Sequence, residues 1–177
     1  ENQTAVTTVT WTDQDVPAEW GDSDSGMVTF DGDNGDEGNA IAVDSSGNTY
    51  VAGYSNNGTD DDFIVRKYDA NGDLDTTWGS SGMVTYDGGN DDQAYAITLD
   101  ASGNIYVAGR INNGTDNDFI VRKYNANGDL DLSWGDADSG MVTYDSGDDE
   151  TAYGITHDSS GNIYVTGGNW NGSNGDA

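Results

Sequence analysis

The chain has no cysteine, one proline, one histidine and only five lysines and arginines among its 177 residues. Without cysteine there is no disulfide framework and no thiol chemistry. A single histidine with no cysteine beside it argues against zinc sites and histidine-based catalytic triads. Five basic residues against 33 acidic ones leave a formal net charge of -28. Such a surface repels nucleic acid and anionic membranes, so neither is expected as a partner. Cations are the natural partners: calcium, other metals, or high salt. No apolar run approaches the roughly 18 residues of a membrane-spanning helix. No segment carries a helical apolar period over about 11 residues. The chain begins at Glu1 rather than methionine, which suits a mature form after signal removal.

What the chain does have is repetition. Residues 82–135 read GMVTYDGGNDDQAYAITLDASGNIYVAGRINNGTDNDFIVRKYNANGDLDLSWG, and residues 26–79 carry nearly the same text. It begins again at Gly140 and continues through the GNIYVTGG segment. Gly26, Gly82 and Gly140 are 56 and 58 residues apart, and Trp20, Trp78 and Trp134 keep the same spacings in the opposite order. A period of this length means a repeat architecture. The short runs of β-branched and aromatic residues within it argue against the disorder that an acidic, glycine-rich chain otherwise suggests.

Four segments of the central repeat have strand character: Met83–Asp87, Ala94–Leu99, Ile105–Gly109 and Phe119–Tyr124. Each is bounded by Gly, Asn or Asp. Asp100, Gly103 and Asn104 mark a short hairpin connection, repeated at Asp44, Gly47 and Asn48 and at Asp158, Gly161 and Asn162. Four antiparallel strands per repeat of about 40 to 50 residues is the pattern of a β-propeller blade. The fold expected is therefore all-β.

The segments DSSGNIYV and DFIVRKYNANGDLD, followed by WG, resemble the delta-60 and SBBP-type β-propeller repeats of secreted bacterial and archaeal proteins, with the first part shared by NHL-like propellers. The resemblance implies an innermost strand at AYAITL, with IYVAG, FIVRKY and MVTYD following outward. It implies little about activity.

In that phase the chain divides into an N-terminal segment 1–34, blade 1 at 35–87, blade 2 at 88–145 and a half-blade at 146–177. The N-terminal stretch Ala5, Val6, Thr7, Thr8, Val9, Thr10 and Trp11 reads as a third strand, and 26–30 as a fourth. The C-terminal half-blade holds a first and a second strand. The expectation is a circularly permuted set of about three blades, in which the terminal blade is completed by the N-terminal strand of a neighbouring subunit. Such head-to-tail addition closes into a ring or grows into a filament.

Oxygen-bearing residues alternate at Asp69, Asn71, Asp73 and Asp75, and again at Asn125, Asn127, Asp129 and Asp131. They fit either a calcium-binding loop or a plain Asn-Gly turn, and calcium is the candidate cofactor. Further acidic clusters stand at Asp60–Asp62, at Asp116 with Asp118, and at Asp148–Glu150. N-glycosylation sequons recur at Asn57, Asn113 and Asn171, with another at Asn2. Arg66 and Lys67, like Arg122 and Lys123, are strand neighbours that point to opposite faces and are expected to pair with carboxylates. His157 is expected to pack within its strand.

No catalytic constellation is legible, so no enzyme is expected. The expected function is a secreted structural subunit, extracellular or on the cell surface, that polymerises by β-strand donation into a filament or sheath. Its partner would be itself, with cations and covalent glycans as further expected partners. The competing class is a closed oligomeric propeller that binds a glycan or a protein.

Overall fold

The computed structural model describes residues 21, 27–30, 32 and 34–171, together with the backbone of Ala5–Thr7. Its strands are β1 (Ala5–Thr7), β2 (Val28–Phe30), β3 (Asp36–Val43), β4 (Thr49–Asn56), β5 (Asp61–Tyr68) and β6 (Met83–Tyr86). They continue as β7 (Gln93–Leu99), β8 (Ile105–Asn112), β9 (Asn117–Tyr124), β10 (Met141–Tyr144), β11 (Asp149–His157) and β12 (Ile163–Trp170). A 3-10 turn covers Asp136–Asp138. All strand pairs are antiparallel. Among the described residues two sheets have four strands, in the orders β3-β4-β5-β6 and β7-β8-β9-β10, and two have a pair, β1-β2 and β11-β12. The expected order of strands within a blade holds.

The turns explain why the chain breaks where it does. Asp44 Oδ1 accepts the N–H groups of Ser46 and Asn48, and Asn48 Nδ2 donates to Asp44 Oδ2. Gly47 takes the positive φ this requires, 86°. The same lock closes β7-β8 through Asp100 and Asn104, and β11-β12 through Asp158 and Asn162. A second turn follows β5 and β9. Asp69 Oδ1 accepts from the N–H groups of Asn71 and Asp73, and Asn125 Oδ1 accepts from those of Asn127 and Asp129.

The strands run further than the sequence pattern indicates, β8 to Asn112 and β9 from Asn117. The innermost pairs β3-β4, β7-β8 and β11-β12 also carry a bulge that the pattern does not reveal. The register shifts between Gly38 and Ala40, Ala94 and Ala96, and Ala152 and Gly154. Facing it stands a glycine, Gly53, Gly109 or Gly167. A Cβ there would overlap the carbonyl oxygen of Glu37, Gln93 or Thr151.

Alternation then builds the stack. Tyr50, Ala52, Phe63 and Val65 of the first whole sheet pack with Ala94, Ile105, Val107 and Ile120 of the second. The opposite face of the second sheet, Ala96, Ala108 and Val121, meets Ala152 of the C-terminal pair, with Ile155 and Val165 against the same cluster. Val28 of β2 packs with Tyr68 on the outer face of the first sheet. Each fully buried side chain of this kind is worth roughly 1.5 to 3 kcal/mol. The sheets therefore stack in chain order, a whole sheet on each side of the central interface and a pair of strands at each end.

Candidate functional site: the two ends of the blade stack

The N-terminal pair is seated as a blade would be. The β1-β2 register sets Ala5 opposite Phe30. In the whole sheets Phe63 lies opposite Tyr86, and Phe119 opposite Tyr144. Strands β1 and β2 thus correspond to a third and a fourth strand. Across the interface the Arg66 guanidinium lies 3.9 Å from the centre of the Phe30 ring, as Arg122 lies 4.1 Å from that of Tyr86. Gly21 N–H donates to the Asn71 carbonyl at 2.9 Å, as Gly79 N–H donates to that of Asn127 at 2.9 Å. Gly32 N–H donates to the Asp36 carboxylate, as Gly88 does to Asp92 and Ser146 to Glu150. Three contacts of the whole-blade interface are therefore repeated at the half-blade.

The C-terminal pair shows the complementary half. By register and turn, β11 and β12 correspond to a first and a second strand. Among the described residues the free edge of β12 pairs with no strand. Tyr50 and Tyr106, on the second strands of the whole sheets, are 3% and 5% exposed, while their counterpart Tyr164 is 54% exposed. Tyr153 and Trp170 are also exposed. At the opposite end of the stack Ile41 and Val43 of β3 are 44% and 49% exposed. Their counterparts on β7, Ile97 and Leu99, pack against the cluster that holds Tyr50 and Ala52.

The SBBP family, described as a β-propeller repeat, matches residues 30–59 and 143–168. The matched segments are similar to the SBBP β-propeller repeat. A β-propeller domain of unknown function, DUF5122, matches residues 45–77 and 101–133. No curated protein matches the chain. The second SBBP match lies over β11 and β12, and the first lies over their counterparts β3 and β4.

Within these repeats the alternating oxygens are largely committed to the fold. Asp69 and Asn125 cap their turns. Asp75 and Asp131 pair with Lys67 and Lys123 at 2.9 and 2.7 Å. The lysine hydrogen bond is the main reason both carboxyls are pulled down to about 2. The lysines thus find carboxylates as expected. Among the described residues the arginines do not: Arg66 and Arg122 stack on the ring of the preceding blade, and Arg122 Nε donates to the Tyr124 hydroxyl. Guanidinium planarity suits that slot between sheets, where an ammonium would not stack.

The carboxylates that the fold does gather lie elsewhere. Asp60, Asp62 and Asp87 converge within 4.8 Å of one another, and so do Asp116, Asp118 and Asp145. Burial, with neighbouring carboxylates adding to it, raises the pKa of Asp62 and Asp118. Sequence reading finds the first two members of each group and misses Asp87 and Asp145. The available signal was that the fourth strand ends in Asp in both repeats, and pairing of Phe63 with Tyr86 carries that Asp toward Asp62.

The sequon amides are also engaged. Asn57 Nδ2 donates to Asp60 and Asp62, and Asn113 Nδ2 to Asp116 and Asp118. Thr8, Val9, Thr10 and Trp11 of the expected assembly strand, Trp20, and the sequon Asn2 lie outside the described residues. His157 Nδ1 lies 3.3 Å from the Thr98 hydroxyl of the neighbouring inner strand.

Proposed function

We propose that the protein is a secreted structural subunit whose copies join head to tail, each N-terminal half-blade completing the C-terminal half-blade of the next copy. The observation that carries this reading is the pairing of opposites at the two ends. Among the described residues, one end of the stack holds outer strands without inner ones, and the other holds inner strands with an open edge and exposed rings. Exposed strand edges attract further strands. A contact between unlike ends propagates into a filament, or closes where the rotation permits, two copies giving six blades. The resemblance to repeats of secreted proteins supports an extracellular filament or sheath.

Electron microscopy of the full chain, beside the chain lacking residues 1–12, tests the proposal. The full chain is expected to form rings or fibres, and the truncated chain to remain unassembled. A truncated chain that builds the same assembly refutes strand donation, as does a full chain that stays monomeric at high concentration.

A further inference from the structure

Building on that reading, we infer that the junction is a composite blade of fixed register, anchored by Tyr164 of one copy beneath Ile41 and Val43 of the next. The chain itself shows twice what covers such a site. Strand β4 pairs with β5 as Ala52 with Val65 and Gly53 with Ile64. Strand β8 pairs with β9 as Ala108 with Val121 and Gly109 with Ile120. The β1-β2 register equates Ala5 with Phe63, Val6 with Ile64 and Thr7 with Val65. Carried to the junction, Thr166 of one copy faces Thr7 of the next, Gly167 faces Val6, and Gly168 faces Ala5.

The same docking covers the apolar faces. Strand β1 already lies beside β3 within its own chain, as β5 lies beside β7. Setting β12 along β1 therefore brings β11 beside β3. Tyr164 then meets Ile41 and Val43 as Tyr50 meets the cluster lined by Ile97 and Leu99. The occupant is a second copy rather than the chain's own N-terminal pair. Two whole sheets separate the two ends, and closing these 177 residues on themselves would make a ring of three blades, below the usual four to eight.

The chain has no cysteine, so thiols introduced singly report the register without background. Two preparations, one carrying Thr7→Cys and the other Thr166→Cys, are mixed and mildly oxidised. Directly facing strand residues lie within disulfide reach. A displacement of two residues, about 7 Å along the strand, puts them outside it. A crosslinked pair is expected from that mixture and from Ala5→Cys with Gly168→Cys, and none from Thr7→Cys with Gly168→Cys.

Crosslinking only in the last mixture overturns the register while leaving head-to-tail assembly standing. Assembly seen by microscopy with no crosslink in any mixture overturns the composite blade. Neither assembly nor crosslinking overturns both this inference and the function it rests on. As a second arm, Tyr164→Ala is expected to weaken association by about 30-fold, and Tyr164→Phe by less than about threefold. Equal affinities for Tyr164→Ala and the parent would remove Tyr164 as the anchor.

Discussion

Trp78 and Trp134 hold the same place in successive repeats, and alanine at each isolates what a following blade contributes. Both indoles meet a tyrosine edge-on, Trp78 with Tyr50 and Trp134 with Tyr106, at the same 5.8 Å. Trp78 is 2% exposed, whereas Trp134 is only half-buried. The difference comes from the next blade. A Cβ on Gly128, in the turn of that blade, would stand 2.9 Å from Trp78 Cε2, and the described residues put no such turn over Trp134. Emptying a buried tryptophan site costs about 3 to 5 kcal/mol. In a chain of this length one kcal/mol moves the midpoint by about 2 to 4 °C. Trp78→Ala should therefore lower the melting temperature by about 6 to 20 °C, and Trp134→Ala by about half as much, since less apolar surface is lost. Melts followed by circular dichroism at a dilution that keeps the protein monomeric measure both. Repeated at assembling concentration, the two losses should converge, because a completed third blade then covers Trp134. Equal losses in the dilute protein, or a gap that persists in the assembly, would refute the reasoning.

Other consequences are open to the same kind of measurement. Asp92 is fully buried, and burial raises its carboxyl pKa to about 6 against the N–H bonds from Gly88 and Asn112. Its protonated form is favoured on folding, so the stability it contributes is complete below about pH 4 and is lost as pH rises through 6. Denaturant titrations of Asp92→Asn should lack that part of the pH dependence. Asp131 behaves oppositely: Lys123 holds its carboxyl down to about 2, so its contribution is present above about pH 4 and fades as pH falls through 2. Asp131→Asn should flatten the acid limb of the same titration. Gly109→Ala drives a Cβ onto the Gln93 carbonyl and should abolish the cooperative melt or lower its midpoint by more than any surface change. With a charge of -28, added sodium chloride should raise the midpoint by screening. Calcium chloride at matched ionic strength should raise it further only if carboxylates such as Asp60, Asp62 and Asp87 bind the ion.

The strand pattern was legible because each run alternates about one buried face and ends in a turn whose chemistry is local. Asp100, Gly103 and Asn104 announce their hairpin by residue type alone. The bulge at Asn39, Tyr95 and Tyr153 was not legible, since its cause is the close approach of Gly53, Gly109 and Gly167 from a different strand. The arginine partners failed for a related reason. Surrounded by carboxylates in sequence, Arg66 and Arg122 lie in space between two sheets, where each stacks on an aromatic ring from the preceding blade. Asp87 joined Asp60 and Asp62 through cross-strand register, which a single strand's pattern does not encode.

The same distinction between local and cross-blade contacts bears on how a junction could form at low ordering cost. A donor strand hanging free would have to be fixed on binding, at about 1 to 2 kcal/mol for each backbone residue. Here β2 is docked on the first blade through Phe30 under Arg66 and through the Gly21 and Gly32 N–H bonds. Strand β1 is paired to it. The acceptor edge is equally prepared, because Asp158 and Asn162 lock the β11-β12 turn without any outer strand. What association must still supply is the loss of rigid-body freedom and the repulsion between two acidic chains. The second term is screened by salt and the first is not. Assembly should therefore strengthen with ionic strength and then level off, a profile that light scattering across a salt series would follow. Assembly that weakens steadily as salt rises would mean that ion pairs, rather than strand pairing and Tyr164, hold the junction.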